Sequence, residues 1–206
     1  VRVMRVLTDR GNCELGFVTK SFCADPEIVK AIDSVGIDFF ADARVQNLES
    51  YKEIKTPKML LRLPQHCEIE KVVSFADMSL NSELSTIKLL DQEAAKQGKT
   101  HKVVLMIDLG DLREGIFFKD EDIIMSTVEE ILKLKNIKLH GVGVNLTCYG
   151  AVIPKQDNLS TLVEIAGKIE SRFNIKLDMI SGGNSSSIYL IDKEGLPEGI
   201  NSLRVG

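Results

Sequence analysis

Lys20 stands directly after Leu15-Gly16-Phe17-Val18-Thr19, a run of strand-forming residues, and a helix start follows it at Ala24-Asp25-Pro26-Glu27. Asp25 suits the N-cap and Pro26 the first helical position. A cation where a buried strand gives way to a loop is most often a solvated strand end. Beside a ligand pocket, the same amine can form a Schiff base with a carbonyl compound. Arg113 lies just past "MIDLGD" and Asn145 lies within "GVNLTCYG", both at the ends of apolar runs. The stretch "SGGNSSS", Ser181 to Ser187, joins Gly182 and Gly183 to Asn184, Ser185 and two further serines. Glycines there allow close backbone approach, and serine hydroxyls with the N–H groups of the short helix "SSSIYLI" form an anion site. Such a loop taken alone is more often only a loop. A phosphate clamp opposite a strand-end lysine suits a phosphorylated aldehyde. Pyridoxal phosphate fits, with the lysine on the aldehyde and the phosphate anchoring the ring. A phosphosugar aldolase uses similar parts, so both remain open on the residues alone.

These residues need elements to bring them together. Strand patterns run over Glu14–Lys20, Ile37–Ala41, Lys58–Leu63, Met78–Asn81, Lys102–Leu109, Leu139–Leu146, Leu177–Ser181 and Ser202–Gly206. Runs such as "VVLMI" and "MLLRL" are continuously apolar, as in strands buried on both faces of a parallel sheet. Amphipathic segments lie between them. "SELSTIKLLDQEAAKQGK" has Ser82 as its candidate cap, and "DEDIIMSTVEEILKLKN" and "NLSTLVEIAGKIESRFN" carry apolar residues at helical spacing. Strand–helix alternation predicts right-handed βαβ units. Eight strands predict a closed α/β fold, a (β/α)8 TIM-type barrel, with a doubly wound open sheet as the alternative. In such a barrel Lys20, Arg113, Asn145 and the 181–187 loop gather at the C-terminal strand ends, where active sites form, and phosphates bind between loops seven and eight. No linker or repeat divides the chain, so residues 1–206 are expected to be one domain. The chain has no initiator methionine and stops on "LRVG" at the end of its last strand pattern. The expectation is a fragment whose last strand lacks its covering helix.

Composition narrows the function further. The 206 residues are 44% hydrophobic and 27% charged, with a formal net charge of −4. The basic residues are scattered, which argues against a nucleic-acid binder. No apolar run approaches the roughly 18 residues that span a bilayer. The opening "VRVMRVLTDRGN" reads as the end of a helix and not as a signal peptide. Cys13, Cys23, Cys67 and Cys148 are widely spaced, without CxxC or paired histidines. No zinc site or disulfide framework is expected, and a reducing cytoplasm is the simplest setting. Of the three histidines, His101 and His140 sit near strand starts, away from the chemistry.

The chain resembles the alanine racemase family, specifically the barrel domain of its alanine/ornithine racemase-like branch. The resemblance covers essentially the entire chain and rests on "GFVTKSFCADPEI", "MIDLGDLREG", "GVGVNLTCYG", "SGGNSSS" and "LRVG". It implies pyridoxal 5'-phosphate as cofactor and racemisation of a free amino acid, ornithine or another basic one. Lys20 matches the Schiff-base lysine, which also serves as one of two bases at Cα. Arg113 matches an arginine near the cofactor's phenolic oxygen and the substrate carboxylate. Gly183, Asn184 and Ser185 match the phosphate loop, and Gly206 matches a backbone N–H donor to the phosphate. Arg204 matches an arginine facing the pyridine nitrogen, which it keeps unprotonated. Asn145 stands where alanine-specific members have a histidine, and Met106 where many have a lysine that positions the arginine. Asn145 can hydrogen-bond but cannot titrate. Both departures favour the ornithine-type branch.

The family implies that the second base is a tyrosine from a C-terminal β-domain of the partner subunit in a homodimer. Tyr149 lies near the right strand end but is read as packing in the loop after the sixth strand. Alternatives are alanine racemisation, a cofactor-homeostasis protein of the same barrel type, and a metal-assisted lyase with ligands beyond residue 206. Cys23 is read as packing in the first βα loop, and "KDEDIIMSTVEE" as a solvated helix start favoured by the helix dipole. Asp108, Asp111 and Glu114 cluster around Arg113, where one of them could meet a side-chain ammonium.

Overall fold

The computed structural model describes residues 1–147 and 152–206. Tyr149 and Cys148 lie outside the described residues. The strands are β1 (Glu14–Val18), β2 (Phe39–Asp42), β3 (Lys58–Leu60), β4 (Met78–Asn81), β5 (His101–Asp108), β6 (Ile116–Phe117), β7 (Ile137–Gly143), β8 (Met179–Ser181) and β9 (Ser202–Val205). Each pairs parallel to its neighbours. The order β4-β3-β2-β1-β9-β8-β7-β5, with β4 also paired to β5, closes an eight-stranded ring. The (β/α)8 barrel is therefore the fold, and the open sheet is excluded. The two-residue β6 sits outside the ring, on the end of β5 with Ile107 opposite Ile116. It is too short to leave a pattern in the sequence.

The helices are α1 (Arg2–Arg10), α2 (Pro26–Asp33), α3 (Val45–Ser50), α4 (Ile69–Phe75), α5 (Leu84–Gln97), α6 (Glu121–Leu132), α7 (Gln156–Phe173) and α8 (Ile188–Lys193). One apolar core lies between the strands and this outer layer, including Leu15, Phe40, Leu105, Val142 and Leu203. A second fills the barrel itself, where Met59, Met78, Met106 and Met179 pack with Phe39 and Leu80. Unbranched methionines fit the irregular space inside a narrow ring. Met106 is fully buried there.

Several boundaries differ from expectation. β1 stops at Val18 and Lys20 opens a 3-10 turn, Lys20–Phe22, so the lysine lies past the strand rather than in it. β3 and β8 are shorter than expected, and β7 ends at Gly143 although the wall continues through the buried Val144 and Leu146. Asp25 caps α2 as expected, accepting from the N–H groups of Glu27 at 3.0 Å and Ile28 at 3.2 Å. Ser82 does not cap α5. Glu83 holds the cap position, and the Ser82 hydroxyl is buried without a partner among the described residues. At the start of the chain, α1 packs against β1 and α8.

Candidate functional site

At the C-terminal ends of the strands the ring opens into a cavity of about 690 Å³. Lys20 reaches it because Thr19 is pinned beneath. The Thr19 hydroxyl donates to Asp42 Oδ2 at 2.6 Å, and the Thr19 N–H donates to the Ala41 carbonyl at 2.9 Å. Asp42 is fully buried, and its other oxygen accepts from the Arg44 N–H and from Asn47 Nδ2. Tyr51 lies 3.4 Å from the Thr19 hydroxyl, with burial pushing its phenol above the ordinary range. A buried carboxylate with that many donors is well satisfied. The turn above it leaves Lys20 exposed at the cavity wall. Cys23 is exposed at the end of this turn, with φ of +52°, and is not packed as expected.

Arg113 and Glu114 come from the loop between β5 and β6. Asp108 folds this loop by accepting from the N–H groups of Gly110 at 2.8 Å and Leu112 at 3.1 Å. Gly115 closes it with φ of +119°, and a Cβ there would lie 2.6 Å from the Asp108 nitrogen. Only glycine fits such a left-handed close approach. Asp111, buried, accepts from the Thr147 N–H and ties this loop to the one after β7. Of the three carboxylates around Arg113, only Glu114 lines the cavity.

Glu114 Oε2 pairs with Arg113 Nε at 2.9 Å, and Glu114 Oε1 accepts from Asn145 Nδ2. Asn145 Oδ1 in turn accepts from Arg204 at 2.7 Å. Arg204, on β9, is 2% exposed and also donates to Ser181 Oγ and the Val144 carbonyl, both at 2.8 Å. A buried guanidinium with charge-assisted contacts of this kind is rigidly set.

The 181–187 loop divides its polar groups between itself and the neighbouring chain. Asn184 accepts from the Ser186 N–H and donates to the Leu146 carbonyl, both at 2.9 Å. The Ser187 hydroxyl donates to the Gly182 carbonyl at 2.6 Å. Gly183, buried and with φ of +103°, turns the chain behind the wall and is not part of the lining. Ser185 is the serine of this loop that lines the cavity, 3.2 Å from the Gly206 N–H. The Ser185 hydroxyl and the Gly206 backbone bond each other here, the hydroxyl accepting from the Gly206 N–H and donating to the Gly206 carbonyl, both at 3.2 Å. A Cβ on Gly206 would lie 2.5 Å from that of Val18, so the backbone is bare there.

Lys20, Arg113, Asn145, Asn184, Ser185, Arg204 and Gly206 therefore share one cavity, with Gly183 behind it. Sequence reasoning missed Arg62 and Gln65, which line it from the loop after β3. The signal was present: in "MLLRLPQ" a cation interrupts an apolar run just before a proline. Lys20, Arg62, Arg113 and Arg204 face a single lining carboxylate, an excess of three formal positive charges. Such a cavity suits a ligand carrying a phosphate and a carboxylate. Among the described residues, no helix is long and apolar enough to cross a membrane.

The whole chain, residues 1–206, matches the sequence profile of the alanine racemase N-terminal domain. It is 57% identical over 200 residues to ornithine racemase of Acetoanaerobium sticklandii, covering 97% of this chain and 56% of that protein. It is 33% identical over 207 residues to lysine racemase of Thermotoga maritima, covering 100% of this chain and 56% of the relative. The chain thus spans about half the length of the curated relatives it matches. Among solved structures, PipY of Synechococcus elongatus with pyridoxal phosphate bound superimposes with a TM-score of 0.76 at 18% identity, covering 97% of each chain.

Proposed function

The chain belongs to the alanine racemase N-terminal domain family, and we propose that it is the pyridoxal-phosphate barrel of an amino-acid racemase acting on ornithine or another basic amino acid. The observation that carries this is that Lys20 lines the same cavity as Ser185 and Gly206, with Gly206 directly after β9, the strand beside β1, and so at the neighbouring strand end. The residues fit the cofactor: an exposed amine for the aldehyde, the Ser185 hydroxyl and the Gly206 N–H for the phosphate, and a buried donor-only cation, Arg204. The bound cofactor would supply the electron withdrawal that makes a substrate Cα–H acidic. Lys20, once displaced by the substrate amine, removes or returns the Cα proton on one face. Arg113 receives the substrate carboxylate through its planar fork. The resemblance assigns the opposite-face base to a tyrosine of the partner subunit, which makes the working form a homodimer. The basic substrate is supported by the ornithine and lysine racemase relatives. It draws no support from Asp108 or Asp111, whose carboxylates fold the loop instead.

A second reading is a barrel that binds the cofactor without racemising; PipY, which shares the fold, is solved with pyridoxal phosphate bound. The test takes the full-length protein, adds pyridoxal phosphate, and follows the visible absorbance and the exchange of Cα protons for deuterium across a panel of L-amino acids. The expected result is a visible band that Lys20→Ala abolishes, and faster exchange with ornithine or lysine than with alanine. A Lys20→Ala protein with an unchanged band overturns the cofactor assignment. Bound cofactor with no exchange moves the protein to the second reading.

A further inference from the structure

We propose that Glu114 is the positioning residue of this site, holding Arg113 by its Nε edge and, through Asn145, setting Arg113 and Arg204 relative to each other. Glu114 is the more sheltered partner, with its side chain 12% exposed against 38% for Arg113. Its two oxygens are divided. Oε2 takes Arg113 Nε at 2.9 Å and Oε1 takes Asn145 Nδ2, while Asn145 Oδ1 takes Arg204 at 2.7 Å. The chain of contacts spans three separate strand ends, so it is a cross-brace of the cavity rim and not a local pair. It also fixes which way the Asn145 amide points, because a guanidinium can only donate and a carboxylate can only accept.

The edge that Glu114 occupies matters. Glu114 sits against the Nε edge as an ion pair at 2.9 Å, and the Arg113 side chain makes no hydrogen bond among the described residues, so its terminal nitrogens are left for a planar acceptor in the cavity. Without the carboxylate, Arg113 keeps its charge but loses its orientation, and the amide of Asn145 loses its acceptor. Neighbouring side chains rarely converge in this way. The left-handed turns at Leu112, φ +56°, and Gly115, φ +119°, bring Arg113 and Glu114 together. Because the pair is partly solvated, its removal is not expected to unfold the protein.

The proposal depends on the racemase reading only in its kinetic arm, and its test has an arm that does not. In full-length protein without cofactor, nitrogen-15 NMR follows exchange of the Arg113 Nε–H with water, the signal being assigned by its absence in Arg113→Lys. Protection in the wild type that is lost in Glu114→Gln and partly kept in Glu114→Asp is expected. In the cofactor-loaded enzyme, Glu114→Gln is expected to lower kcat/KM by about 100-fold, as for a misplaced binding group. Cofactor affinity should change by less than about threefold, the scale of an ordinary surface substitution. The double variant Arg113→Ala/Glu114→Gln should be no slower than Arg113→Ala alone, since Glu114 acts through Arg113. Unchanged Nε–H exchange in Glu114→Gln, or losses that multiply in the double variant, overturns the proposal. An enzyme that exchanges no Cα proton removes the racemase reading and leaves the exchange arm to decide.

Discussion

Ser185 shows how much a single hydroxyl can be asked to do. It is exposed at the cavity, within 3.2 Å of the Gly206 N–H, while Ser186 donates to the Leu146 carbonyl of a neighbouring loop and Ser187 to the Gly182 carbonyl of its own. Ser185→Ala is expected to weaken pyridoxal phosphate binding by about 1–3 kcal/mol, the worth of a hydrogen bond to a charged acceptor. The fold should be unaffected, since no buried network uses that hydroxyl. Titration of cofactor-free protein checks it, and equal affinity for both forms removes Ser185 from the phosphate site. At this scale the sequence was informative about residue type and poor at telling neighbours apart. "SGGNSSS" marks a polar cap, but three adjacent serines cannot be ranked until the direction of each side chain is known. Cys13 and Cys23 make the same point. Burial pushes the Cys13 thiol up to about 12, whereas Cys23 stands exposed beside the lysine turn.

Element boundaries were legible where a side chain caps the backbone and illegible where tertiary contacts override the pattern. At α2 the proline and the capping aspartate act on the first turn directly, whatever surrounds them. At α5 the serine expected to cap lies one residue early, and its hydroxyl is buried instead. The two positions give opposite expectations. Asp25→Ala removes two hydrogen bonds to backbone N–H groups and should cost about 1 kcal/mol. That corresponds to a fall in Tm of roughly 2–4 °C for a chain of this size. Ser82→Ala deletes a buried hydroxyl that has no partner among the described residues and should be neutral or slightly stabilising. Thermal unfolding of both variants checks this, and an equal fall for Ser82→Ala would contradict the capping geometry. The loop from Leu109 to Gly115 was the element least visible in the sequence. Its shape depends on Asp108 folding back and on a two-residue strand returning to β5.

Closure of the ring is a property of the whole molecule, and His101 stands at its seam. At the start of β5 its Nε2 meets Ser79 Oγ of β4 at 2.8 Å, across the pair that completes the barrel. Burial removes the ring from water and lowers it to about 4, against an ordinary value of 6.5, outweighing its hydrogen bond to the Ala76 carbonyl. Above pH 6.5 the ring is neutral in both folded and unfolded chains, so its contribution is fully retained. Between 6.5 and about 4 only the unfolded chain takes up the proton, and stability falls as pH falls. Below about 4 both states are protonated and the loss levels off, having reached about 3 kcal/mol. Urea unfolding at pH 7 and pH 4.5 measures the difference. His101→Gln, which cannot titrate, should flatten that dependence relative to wild type. The same slope in both proteins would show that other groups carry it.

By itself the sequence determined the barrel, the lysine, and the four further segments that meet at one end. The physical reason is that strand–helix alternation and continuous apolar runs act locally. Right-handed crossovers then oblige every strand to end on the same side. Lys20, Arg113, Asn145, Ser185 and Arg204 had to converge once the ring closed. The tertiary structure alone decided that Glu114 braces Arg113 against Asn145 while Asp108 and Asp111 fold the loop, and that Arg62 enters the cavity. It also decided that α1 packs against β1 and α8. Those outcomes depend on side-chain direction across separate strand ends and on backbone turns at Leu112 and Gly115. No periodicity records either.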